Sequence, residues 1–239
     1  EKHTLYDRMV KLYDYTRGYL EGVMASQMLV YGYSFVQETL SPCIIENMQK
    51  AMPLETNTGG METVAYTYAN YFLLRKITQT ERTEILDGLS KRLPDIITSD
   101  GRKAMPVKLY TPQETPFLPD VKNMGTIHYM HEMPLVFQNS KINLNITLRS
   151  IKNGIPLRAI DIMGAGGFLL TNYQNDFGLH FTDGKDFASY SDREDLYNKV
   201  EYYLKHEDER KEIAENGCKE VRANHTYEKR LAEMLEIAQ

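Results

Sequence analysis

The chain has 239 residues, of which 42% are hydrophobic and 26% charged, with a net charge of −5 and a pI of about 5.7. That composition describes a globular protein and excludes a nucleic-acid coat or an anionic-membrane binder, both of which need a basic surface. The cysteines, Cys43 and Cys218, lie far apart in unlike contexts, which excludes a disulfide framework or a cysteine-based zinc site and suits a reducing, cytoplasmic setting. No apolar run reaches membrane-spanning length, and no secretory leader is expected. The chain opens at Glu1, without Met, inside a helical pattern, so the native protein is expected to extend upstream.

Residues 3 to about 51 read as helices. Leu5, Met9, Leu12 and Tyr13 repeat at helical spacing, and Leu20, Val23, Met24 and Met28 form a second set. The Tyr- and Met-rich stripe reads as helix–helix packing, since Met fills irregular gaps and small glycines permit close crossings. A ligand or partner surface is the rival reading. Ser41 and Pro42 open the next helix as cap and first residue. The turn-rich segment 52–62 (MPLETNTGGME) marks a boundary, giving a helical linking segment over 1–62 and a larger domain over 63–239.

In that larger domain a helix is expected to open at Thr80 and to carry Ile85, Leu86, Leu89 and Leu93 on one side. Val107 to Tyr110 reads as a strand, Pro112, Pro116 and Pro119 make an extended loop, and Ile127 to Tyr129 reads as a second strand. His131 to Ser140 is expected to be a helix. Ile142, Leu144 and Ile146 then alternate with Asn143, Asn145 and Thr147, the two-residue period of a strand. A polar loop follows, then a helix whose first position suits Pro156, and a glycine run, Gly164 to Gly167, that ends it. Phe168 to Thr171 is apolar on both faces, as in a central parallel strand. Phe187 to Tyr190 reads as an edge strand, and Ser191-Asp192 caps a long helical tail. Strands separated by helix-length segments imply a parallel sheet.

The stretch from Lys141 to Tyr173 is where such a sheet would bind a phosphorylated ligand. A helix N-terminus presents unpaired N–H groups and a partial positive charge, so an acidic protein can still hold a diphosphate there. Thr147, Arg149 and Asn153 lie in the loop, and Arg149 and Arg158 can add forked contacts to phosphate oxygens. Asp161, one turn into the helix, can accept from sugar hydroxyls. The competing reading pairs Arg158 with Asp161 as a surface ion pair. The glycine run follows a helix and precedes a strand, the reverse of a dinucleotide fingerprint, so its expected role is tight packing. His131-Glu132 lacks the second histidine of a metalloprotease helix, since position 135 is Leu. No metal ligands and no cofactor are expected, and no catalytic nucleophile or base is assigned.

Three segments carry a family resemblance: SKINLNITLRSIKNGIPLRAIDIMGAGGFLLTNYQNDF, GKDFASYSDREDLYNKVEYYLKHEDERKEIAENG and the closing HTYEKRLAEML. From about Tyr129 to Leu235 the chain resembles the C-terminal domain of CgeB-like, spore-maturation-type glycosyltransferases, relatives of the group 1 glycosyl transferases. The segments RGYLEGVMASQMLVYGYSF and ERTEILDGLSKRL resemble the region that precedes that domain. The resemblance implies the C-terminal half of a GT-B fold: a Rossmann-like parallel sheet, here with an N-terminal helical segment and a helical C-terminal tail. It further implies a metal-independent enzyme that moves a hexosyl group from a nucleotide-sugar to an acceptor this sequence does not name. The acceptor domain, N-terminal in such enzymes, is expected to be missing, so the isolated chain would bind donor and transfer little.

Group 1 enzymes carry two glutamates, separated by seven residues, at the site helix. The matching positions are Asn153 and Asp161, so the ribose role falls to Asp161 while Asn153 has no carboxylate for the donor sugar. Thr171, Asn172 and Tyr173 would line the cleft, and the base would lie against Tyr110-Thr111 or the Gly125 to Tyr129 segment. The alternative is a non-catalytic module of the same descent, acting in spore or surface-layer assembly.

Overall fold

The computed structural model describes residues 4–54 and 62–237. Most of the expected boundary segment, residues 55–61, lies outside them. Contacts divide the chain into two compact units, Glu1–Ile85 with Thr147–Lys152, and Leu86–Ile146 with Asn153–Gln239.

The first unit is helical. Its opening segment makes only a three-residue turn, Tyr6–Arg8, where a helix was expected. Thr4 donates from its amide and its hydroxyl to the Asp7 carboxylate, at 2.7 and 2.9 Å, and so closes a local turn that competes with helix formation. Met9 and Leu12 are buried nonetheless. Helix α1 spans Asp14–Met28 and buries Leu20 and Met24. Helix α2 spans Pro42–Ala51 and is capped by Ser41, whose hydroxyl accepts from the Ile44 amide. Helix α3 (Val64–Thr67) continues through a π-helical stretch, Tyr68–Leu73, into α4 (Leu74–Arg92). The helix thus runs through Thr80 and does not begin there. Leu73, Leu74 and Ile77 are buried at helical spacing ahead of it, and Thr78 returns its hydroxyl to the Leu74 carbonyl at 2.8 Å, so the backbone has a reason to stay helical. Part of the Tyr and Met content of this unit packs as a core, with Met9, Met24, Met48, Tyr6 and Tyr68 buried together, while Tyr13, Tyr15, Tyr33 and Tyr71 are exposed.

The second unit holds the strands. β1 (Lys108–Leu109) pairs in parallel with β2 (Lys122–Asn123). The strand expected at Ile127 to Tyr129 does not form. The His128 amide that would join a ladder donates instead to the Glu132 carboxylate at 2.5 Å. Helix α5 (Met133–Asn139) carries Pro134 in its first turn. β3 (Asn143–Asn145), β4 (Leu169–Asn172) and β5 (Ala188–Tyr190) form a parallel three-stranded sheet in that order. Leu144 pairs with Leu170, and Leu170 with Ala188. Helix α6 (Leu157–Gly164) connects β3 to β4, and α7 (Arg193–Lys205), α8 (Glu207–Asn224) and α9 (Tyr227–Ile237) form the tail. Asp192 caps α7 by accepting from the Asp195 amide at 2.8 Å.

The period of β3 is as expected, but the more deeply buried side of that strand is its asparagine side. Asn143 donates to the carbonyls of Phe137 and Phe168, and Asn145 donates to the Thr171 hydroxyl at 3.0 Å. Polar groups can be buried there because each finds a partner. Around them Ala159, Ile162 and Met163 of α6 pack with Leu169, Phe177, Phe181, Phe187 and Val221. Two glycines let backbones touch. A Cβ on Gly167 would lie 2.8 Å from the Phe137 carbonyl oxygen, and one on Gly217 only 2.2 Å from that of Asp186. The described residues therefore form an α/β protein with parallel strands in two small sheets and helices at both ends, the Rossmann-like half of a GT-B fold. Among them no helix is long and apolar enough to cross a membrane.

Candidate donor site

The chain enters α6 through a turn that glycine makes possible. Gly154 has φ +86°, a left-handed conformation that a side chain would strain, and its amide donates to the Asp176 carboxylate. Asp176 lies in the turn Asn175–Leu179 that follows β4. One bond thus ties the approach to α6 to the end of β4. Pro156 is the residue before the helix, not its first, and provides no side-chain cap. Its carbonyl accepts from the Ala159 amide at 2.9 Å.

Arg158 and Asp161 leave the first turns of α6 on neighbouring sides of one tyrosine. The Arg158 guanidinium carbon lies 5.5 Å from the centre of the Tyr129 ring and 5.7 Å from that of Phe137, and the guanidinium also meets the Met133 sulfur. Tyr129 in turn donates its hydroxyl to Asp161 Oδ2 at 2.6 Å. The surface ion pair between Arg158 and Asp161 is not made. Among the described residues Arg158 has no carboxylate within ion-pair distance, so its charge rests on aromatic and sulfur surfaces. The Tyr129 phenol is pushed above its ordinary pKa, first by its hydrogen bond to Asp161, then by partial burial and by the carboxylate's charge.

The other expected residues divide into two groups. Asn153 is exposed next to Gly154, and Tyr110 is half-buried just past β1. Thr171 and Asn172 are buried at the C-terminal end of β4, where Asn172 pairs in register with Tyr190. The Thr171 hydroxyl already accepts from Asn145. Thr147 and Arg149 fall in the first unit. There Thr147 is buried, and the Arg149 side chain is 7% exposed. Its guanidinium donates to both Glu81 oxygens at 2.8 and 2.9 Å and to the carbonyls of Val30 and Met28 at 2.8 and 3.1 Å, and it stacks on the Tyr31 ring. The Arg149 amide donates to the Thr78 hydroxyl. This arginine is held on every side by protein groups.

Sequence reasoning missed three partners: Tyr129 for Asp161, Asp176 for Gly154, and Glu81 for Arg149. They are separated by 32, 22 and 68 positions, distances at which no periodicity or spacing rule operates. The histidines at 128 and 131 stack on each other, 4.7 Å between ring centres, and the amide of His131 donates to the His128 ring. Among the described residues no group of three or more His, Cys, Asp or Glu is arranged to hold a metal ion.

Arg158 and Asp161 thus sit on the helix that follows β3 in a Rossmann-like half-fold, at the sheet edge where open α/β sheets bind ligands. The model of the glycosyl transferase-like family matches residues 82–236, and the chain belongs to that family. No curated protein and no solved structure gave a significant match.

Proposed function

We propose that this chain binds the nucleotide-sugar donor of a metal-independent, hexosyl-transferring glycosyltransferase of the CgeB-like type, at the edge formed by the start of α6 and the end of β4. The observation that carries the reading is Arg158, a guanidinium without a carboxylate partner among the described residues, on the same helix as Asp161 in a member of the glycosyl transferase-like family. Arg158 offsets the charge of the departing diphosphate, with help from amides at the start of α6. Asp161 accepts from ribose hydroxyls. Asn153, Thr171 and Asn172 line the donor, the base lies towards Tyr110 or the segment ending at Tyr129, and Thr147 and Arg149 shape the preceding loop. No cofactor is required. The acceptor site belongs to a separate N-terminal domain, so this chain by itself binds donor with little transfer, in the cytoplasm.

Calorimetric titration with UDP, GDP and their sugars, in the presence of a chelator, tests this. Wild type should bind at least one of them, and Arg158→Ala should weaken that binding by about tenfold or more, the usual worth of a charge-assisted hydrogen bond. A second reading, a non-catalytic assembly module in a spore or surface layer, draws on two observations. Asn153 stands where a carboxylate is expected, and Arg149 is fully engaged by Glu81. Wild type that binds none of these nucleotides would favour it and sink the donor reading.

A further inference from the structure

Asp161 does not stand alone, and its neighbour carries a specific consequence. Tyr129 is about half exposed, at 49%, and its ring lies beside the Arg158 guanidinium while its hydroxyl holds Asp161 Oδ2. Among the described residues the second carboxylate oxygen, Oδ1, accepts no hydrogen bond. A carboxylate anchored through one oxygen is turned in a fixed direction, with the other oxygen left to accept from a ligand. A free carboxylate at the same place would lose rotamer entropy whenever it bound a hydroxyl. The same tyrosine offers a π-face beside a cation, which is where a planar heterocycle stacks.

We propose that Tyr129 is the positioning and specificity-determining residue of the donor site: it pre-orients Asp161 to select ribonucleosides and stacks against the nucleoside. This rests on the donor reading above. It adds the residue that decides between a ribose and a sugar lacking hydroxyls, and that residue lies 32 positions from the carboxylate it directs. Selection follows because a half-buried carboxylate already turned to accept from hydroxyls gains a hydrogen bond from a ribose that a sugar lacking them cannot supply.

The test is titration of wild type, Tyr129→Phe, Tyr129→Ala and Asp161→Asn with UDP and GDP and with their 2′,3′-dideoxy forms. Wild type should prefer the ribose form by about tenfold, and Asp161→Asn should abolish most of that preference. Tyr129→Phe should cut the preference to about twofold while leaving affinity for the dideoxy forms unchanged, since the ring remains. Tyr129→Ala should in addition weaken ribose and dideoxy forms together by about tenfold, the worth of a lost stack. A merely structural tyrosine would change both affinities in proportion, so its removal would leave the preference intact. An intact preference in Tyr129→Phe, or no preference in wild type, overturns the inference while leaving donor binding standing. No nucleotide binding by wild type overturns both.

Discussion

Arg149 and Glu81, 68 positions apart in the chain, form a buried ion pair closed by two hydrogen bonds of 2.8 and 2.9 Å. Both side chains are almost fully excluded from water, at 7% and 4% exposure. Removing one partner leaves an uncompensated buried charge, which typically costs about 3–5 kcal/mol. Arg149→Ala and Glu81→Ala should each lower the urea midpoint to that extent. The double change Arg149→Met with Glu81→Leu should restore most of the loss, because an apolar pair leaves no charge behind. Equal stability of the single variants and wild type would show that the pair does not form.

Glycine substitutions should split by position. A Cβ on Gly217 would sit 2.2 Å from the Asp186 carbonyl oxygen, a backbone atom that cannot step aside. Gly217→Ala should therefore destabilise by about 1–3 kcal/mol through forced separation of α8 from the strand edge. Gly22, in α1, has nothing within 4 Å of the same position. Gly22→Ala should stabilise by about 0.5–1 kcal/mol, since alanine restricts the unfolded chain and favours helix. Thermal melts of the two variants read both signs.

Stability should fall steeply in alkali. Burial pushes the phenols of Tyr6, Tyr68 and Tyr203 up to about 12 from an ordinary 10.0. Between those values the native state keeps protons that the unfolded state has released. Stability contributed by these groups is therefore fully present below pH 10 and is lost as pH rises toward 12. The slope is about 1.4 kcal/mol per pH unit for each proton. Urea midpoints at pH 9, 10 and 11 should decline, and Tyr203→Phe should decline less steeply than wild type.

The Tyr129 phenol provides a ligand-free report on the site. Its hydrogen bond to Asp161 is the first cause of its raised pKa. Asp161→Ala removes both that bond and the carboxylate's charge, so Tyr129 should titrate at lower pH than in wild type. A tyrosine Cζ-labelled NMR titration measures the midpoint directly, and a midpoint that does not move would count against the 2.6 Å bond.

Local physics made much of this protein legible in its sequence. The strand periods, the Ser41 and Asp192 caps and the α6 helix with its closing glycines all follow from interactions spanning a few residues. So do the candidates Arg158 and Asp161, because helix position and side-chain chemistry are both local facts. Where local rules competed, the sequence misled. Asp7 drew Thr4 into a turn, Glu132 took the His128 amide from a strand, and buried leucines carried α4 past Thr80.

Only the tertiary structure decided what the charged groups of the expected diphosphate loop are doing. Two arginines of equal promise were separated by partners no spacing rule could supply. Arg149 meets Glu81 and two carbonyls in a buried site, whereas Arg158 rests on rings with its charge uncommitted. The chemistry of a side chain is written in the sequence, but its availability depends on what folding brings within 3 to 6 Å of it, and in low-dielectric surroundings that proximity outweighs residue type. Asp161 thereby gained its tyrosine, and the loop arginine was taken up by the fold.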